Sequence, residues 1–218
     1  MILTAQQILE TYRRGDIMIN PFDPEQVQGA SYDFRVGEQG ATTSSKKLVN
    51  IRETGYFLLQ PGDFGVVTVL EEIRLGPQYA ARFGLRSKYA RKGLIATTGP
   101  QIDPGYHGRL IIGVTNLTPK PVSLPYKDDF VSVEFHRLDE ATTKPYSGPY
   151  QNKMELGAEE IEFITESEGM ALSEVLTTLR SLSQNVAALT SQMKILQWAI
   201  PIIVGVGMAV VAGIVAIK

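Results

Sequence analysis

The sequence predicts a mainly β body followed by a helical coiled coil and a single membrane helix, and three observations carry that expectation. Short apolar runs separated by turns fill residues 55–138, aliphatic residues recur at alternating steps of three and four from Leu172, and residues 198–217 carry no charge. The chain of 218 residues is 44% hydrophobic, enough to build a core. Its 21 basic and 23 acidic side chains nearly cancel, so no overall field argues for nucleic acid as a partner and any electrostatic site has to be local.

The elements follow in order. The opening residues carry polar groups every few positions and lack the apolar run of a signal peptide. Thr4 and Gln7 form a capping box ahead of Ile8, Leu9 and Tyr12, and Gly15 closes one short helix. Runs such as FGVVTVL, RLIIGVTN and FVSVEFHRL then alternate with turns such as QPGD and LTPKP, at the spacing of strands in a barrel or sandwich. Residues 154–169 hold six Glu and no basic residue, which predicts a solvated linker and a domain boundary.

Beyond it, Leu172, Val175, Leu179, Leu182, Val186, Leu189, Met193 and Leu196 make an a/d seam, predicting a coiled coil over 170–197; the alternative is an amphipathic helix lying on the globular part. Its e and g positions are neutral, so charge does not choose the partner. Residues 198–217 would span about 30 Å as a helix, one hydrocarbon thickness. This predicts a membrane location through a single-pass C-terminal anchor, with the large domain in the cytosol.

Cysteine is absent, which removes disulfides, thiolate nucleophiles and the zinc-dependent base deaminases, whose metal needs Cys ligands. His107 and His136 are too few for a histidine cage, so no protein-held metal is expected. The densest basic cluster is RFGLRSKYARKG, which suits a polyphosphate, a solvated basic face or a face touching anionic lipid headgroups. Asp103-Pro104-Gly105-Tyr106 has the residue order of a type II turn, and Asp103 is also a carboxylate that such a turn could aim at a substrate.

Six stretches, MILTAQQILETYRRGDIMINPF, GASYDFRVG, LQPGDFGVVTVLEEIRL, RSKYARKGL, QIDPGYHGRLIIGVTN and PYSGPYQNK, together resemble the dCTP deaminase and dUTPase superfamily, specifically its dCTP deaminase branch, over residues 1–153. The resemblance implies a distorted β-barrel of the dUTPase-like type, a homotrimer with nucleotide sites between subunits, and a deoxynucleoside triphosphate as ligand. It implies that Arg86, Ser87 and Arg91 hold the triphosphate, that Asp103 and Tyr106 stand against sugar and base, and that Tyr146, Tyr150 and Gln151 belong to a C-terminal lid. Mg²⁺ would ride on the phosphates.

The departures matter as much. The family's deaminases carry a proton-shuttling Glu ten residues after this Asp, and here that position is Gly113. Pro149 stands where the lid usually has Lys, and Lys88 where the basic segment usually has Ser. The expectation is therefore that Asp103 is the catalytic residue of a dUTP hydrolysis, favoured over dCTP deamination. The competing expectations are a catalytically silent nucleotide sensor or membrane effector, and a trimeric scaffold.

Overall fold

A computed structural model describes residues 1–166, 178–194, 197, 199, 205 and 207. The chain divides into two compact units, Met1–Ser173 and Glu174–Lys218. The first unit opens with helix α1 (Ala5–Arg14), where the Thr4 amide donates to Gln7 Oε1 at 3.0 Å and Gly15 closes the helix at φ 76°, as the capping pattern predicts.

Eleven strands follow, all paired antiparallel: β1 (Ile17–Asn20), β2 (Tyr32–Thr42), β3 (Val49–Asn50), β4 (Tyr56–Leu59), β5 (Phe64–Leu75), β6 (Tyr79–Leu85), β7 (Leu94–Ala96), β8 (Gln101–Ile102), β9 (His107–Asn116), β10 (Val122–Pro125) and β11 (Asp129–Arg137). The short helices α2 (Ile51–Thr54) and α3 (Ser87–Ala90) interrupt them, and α4 (Ala158–Glu166) comes last among the described residues of this unit. Nine strands form one curled half-barrel sheet in the order β7-β9-β5-β2-β11-β6-β8, with β1 added on β5 and β3 on β2; β4 and β10 pair separately.

β5 holds this sheet together because its Val- and Ile-rich run is buried on both faces and meets β1, β2 and β9 along its twelve residues. Phe34, Val67, Val69, Ile112, Val131 and Phe135 are fully buried between the strands. At about 25 cal/mol per Å² of apolar surface, each such side chain contributes roughly 1.5–3 kcal/mol.

Two buried acids hold strand pairs in register. Glu71 on β5 accepts from Arg35 Nε at 2.6 Å and from the Arg35 amide at 2.8 Å; burial pushes its carboxyl above the ordinary value, against the pull of those bonds. Asp33 on β2 accepts from Ser132 Oγ at 2.6 Å and from Arg86 Nη1 at 2.5 Å.

The C-terminal expectations fare differently. The acidic stretch read as a solvated linker contains α4, which buries Ile164 and neighbouring Leu156 against Ala41 and Val66. Ile164 reaches the sheet while Glu160 turns back to Lys153 and Gly157, so composition alone was misleading. Residues 178–194 are helical, and Leu179, Leu182, Val186, Leu189 and Met193 all stand more than half exposed along them. The other seam positions, Leu172, Val175 and Leu196, lie outside the described residues.

Among the described residues no helix is long and apolar enough to cross a membrane, which overturns the expected membrane location and single-pass C-terminal anchor. Of residues 198–217 only Ala199, Gly205 and Gly207 are described. Hydropathy over a window registers composition and does not distinguish a helix in lipid from an apolar helix elsewhere.

Candidate functional site

The turn between β8 and β9 has the geometry its residues call for. Gly105 sits at φ 82°, a value open to glycine at little cost, and the Tyr106 amide donates to the Asp103 carbonyl at 3.2 Å. Gln101 lies two residues before Asp103, and its Nε2 donates to Asp103 Oδ1 at 2.7 Å. Asp103 is therefore both a turn residue and an oriented carboxylate.

The turn opens into a cleft of about 560 Å³. Asp103, Tyr106, Tyr146 and Tyr150 line it together with Gly113, so the structure gathers these sequence-predicted positions in one place. Tyr106 is buried and donates to the Arg109 carbonyl at 2.9 Å; burial, with a smaller contribution from Tyr146, pushes its phenol well above the ordinary tyrosine value. Tyr146 meets it edge-on at 5.5 Å between ring centres.

Gly113, the lost carboxylate position, is closed by its neighbours. β7 pairs with β9 through Ala96 opposite Val114, and this register brings the next two residues over Gly113. The Gly113 amide donates to Thr98 Oγ1 at 2.6 Å, the Thr97 amide donates to the Gly113 carbonyl at 2.9 Å, and a β-carbon on Gly113 would stand 2.5 Å from Thr97 Oγ1. Two threonine hydroxyls border the cleft where the resemblance implies an acid.

Gln151 does not line the cleft. It locks the C-terminal strap onto the turn: its Nε2 donates to the Gly105 carbonyl at 3.0 Å and its Oε1 accepts from the His107 amide at 3.1 Å. The Tyr146 amide donates to the Pro104 carbonyl at 2.8 Å and the Asn152 amide to the His107 carbonyl at 2.7 Å. The His107 ring is held between Glu72 Oε1 and Asn152 Oδ1, each at 2.6 Å.

Arg86, Ser87 and Arg91 also lie off this cleft, on the short helix α3 and its two flanks. That segment is anchored rather than loose. Buried Tyr89 donates to Asp128 Oδ2, Lys88 Nζ stands 2.6 Å from Asp128 Oδ1, and Arg86 is tethered to Asp33. Although partial burial opposes ionisation of Asp128, the bonds from Lys88 and Tyr89 and the Lys88 charge hold its carboxyl below the ordinary value.

Several cleft residues escaped sequence reasoning. Gln101 was findable, since residues two apart on a strand share a face. Glu159, Glu160 and Phe163 of α4 were hidden by the linker-like composition, although Ile161 and Ile164 repeat at helical spacing. Among the described residues three carboxylates, those of Asp103, Glu159 and Glu160, line the cleft, and no Lys or Arg does. Among the described residues no three His, Asp or Glu side chains converge to hold a metal ion.

The half-barrel and its turn-guarded cleft define a dUTPase-like fold. The profile of the dCTP deaminase-like family matches residues 2–138, and the chain belongs to that family. It is 34% identical over 143 residues to the dCTP deaminase of Thermococcus sibiricus, covering 66% of this chain and 90% of the relative. The dUMP-forming dCTP deaminase of Aquifex aeolicus is 28% identical over 163 residues, covering 70% of this chain and 91% of the relative. Among solved structures, the deoxycytidine triphosphate deaminase of Agrobacterium tumefaciens superposes with a TM-score of 0.54 at 18% identity, covering 63% of this chain and 49% of that one.

Proposed function

We propose that this protein binds a deoxypyrimidine triphosphate and hydrolyses dUTP to dUMP and pyrophosphate in preference to deaminating dCTP. The observation that carries the reading is the pairing of an oriented Asp103 with a closed Gly113: the cleft keeps the carboxylate suited to positioning water and has no side chain at 113 to shuttle a proton to a leaving ammonia. In the proposed step a water oxygen bonds to the α-phosphorus as the bond to the pyrophosphate oxygen breaks, and Asp103 orients the water and takes its proton. Tyr106, Tyr146 and Tyr150 form the aromatic side against sugar and base.

The triphosphate needs cations that the cleft does not hold. Arg86 and Arg91 of a second copy would supply them, with the Ser87 hydroxyl as a further donor; the family resemblance makes that assembly a homotrimer, and the apolar seam on residues 178–194 suits a coiled coil that assists it. Magnesium enters as the partner of the phosphates, neutralising charge during transfer.

A silent nucleotide sensor is the second reading, favoured by the bond from Gln101 that occupies Asp103 Oδ1. The full chain, incubated with dUTP or dCTP and Mg²⁺ and followed by chromatography and calorimetry, separates the readings. Monophosphate from dUTP, lost by about a hundredfold or more in Asp103→Asn while binding persists, is the expected result. Uracil nucleotides formed from dCTP would overturn it, binding without turnover would select the sensor, and absence of both would leave a trimeric scaffold.

A further inference from the structure

Helix α4 follows the segment matched by the family profile and forms one wall of the cleft. An apolar contact contributes to its hold: Ile164 is fully buried, Leu156 nearly so, and Phe163 meets Phe64 edge-on at 6.1 Å between ring centres. Two polar bonds pin its start, Lys153 Nζ to Glu160 Oε1 and the Gly157 amide to Glu160 Oε2 at 2.7 Å. Partial burial opposes the Glu160 charge, but those bonds and the Lys153 charge win and hold its carboxyl below the ordinary value. Glu160 is thus a carboxylate paired with Lys153 at the cleft, and Glu159 adds a further negative charge to a lining that holds no Lys or Arg among the described residues.

We propose that α4 is an acidic gate, docked against the cleft and displaced when a nucleoside triphosphate enters, so that cleft occupancy is converted into release of this helix. The proposal rests on the reading of the cleft as a nucleotide site. A polyanion in a partly desolvated cleft gains by moving the α4 carboxylates away, whereas an uncharged nucleoside does not. Docked helix and bound triphosphate are then alternative states, and nucleotide affinity is reduced by the fraction of molecules in which α4 is docked.

The chain contains no cysteine, so Ile164→Cys creates a single thiol whose alkylation rate reports how often α4 leaves the sheet. The full-length variant, its folding checked by Tm, is alkylated with and without a saturating non-hydrolysable dUTP analogue plus Mg²⁺, and separately with deoxyuridine. The expected result is alkylation about tenfold faster with the triphosphate analogue and unchanged with deoxyuridine. In Phe163→Ala, otherwise unmodified, analogue affinity rises at least about threefold because docking is weakened.

Unchanged or slowed alkylation while calorimetry shows the analogue bound would overturn the gate and leave the nucleotide reading standing. No binding by calorimetry in either variant or the unmodified chain would overturn both. A lower affinity in Phe163→Ala would make Phe163 part of the bound site's wall and overturn the gate by a second route.

Discussion

Thr97 and Gly113 approach so closely that a β-carbon at 113 would lie 2.5 Å from Thr97 Oγ1 and 3.1 Å from Thr98 Oγ1, so a larger residue requires those threonines to move. Glycine here matches the packing of the segment that follows strand β7, besides being the loss of an acid. Restoring glutamate alone in Gly113→Glu is expected to destabilise the protein by about 1–3 kcal/mol, through overpacking, without producing dCTP deamination. Thermal unfolding and product analysis test this, with Thr97→Gly added to Gly113→Glu to recover the lost stability.

Asp33 bears on Arg86 in a different way. It is fully buried, and Arg86 Nη1 and Ser132 Oγ are its side-chain partners. Asp33→Asn keeps the shape but removes the charge that holds the guanidinium, so calorimetry with a dUTP analogue should show affinity at least about tenfold weaker. The loss of charge-assisted bonding should cost about 1.5–3 kcal/mol of stability as well.

Gln151 bridges the strap to the turn with both ends of its amide. Gln151→Leu removes both bonds and leaves the Gly105 carbonyl and His107 amide without that partner. Amide exchange at His107 should accelerate about tenfold or more, corresponding to roughly 1–3 kcal/mol of local stability. Exchange in β5 should stay as it is.

The acid dependence of the α3 anchor follows from Asp128, whose carboxyl is depressed below its ordinary value of 3.8 by Lys88 and Tyr89. A depressed carboxylate contributes stability that is complete above the unfolded value and is lost as pH falls through the folded one. Denaturant unfolding should therefore show a constant stability gap between the unmodified protein and Asp128→Asn above about pH 4, closing progressively below it. A gap that widened on acidification would contradict this account.

What could be read from the sequence was local. The capping box of Thr4 and Gln7, the Asp103–Tyr106 turn and the alternating strands depend on neighbours within a few positions, and each appears as expected. The family's motifs also led to Asp103, Tyr106, Tyr146 and Tyr150, which line one cleft, whereas Arg86, Ser87, Arg91 and Gln151 lie off it. The closure of Gly113 was not legible, because Thr97 reaches it only through the pairing of Ala96 with Val114. The partners of Gln151 lie 44 and 46 positions away, beyond the reach of any local pattern.

The C-terminal third resisted for the opposite reason, since composition there was vivid and pointed elsewhere. Glutamates concealed a docked helix at 158–166, and an uncharged run prompted a membrane anchor where no described helix is long and apolar enough to cross one.

The strap also guards the sheet against its own kind. β7 covers only the far end of β9, at Val114, Thr115 and Asn116, so the near end would offer bare donors and acceptors to any passing strand. Lys153 runs beside Gly108 as a short parallel bridge and its carbonyl accepts from the Arg109 amide at 2.9 Å, occupying that margin. Cutting the chain ahead of Tyr146 would expose a sticky border, and the shortened protein should lose solubility through edge-to-edge aggregation well before its core loses order.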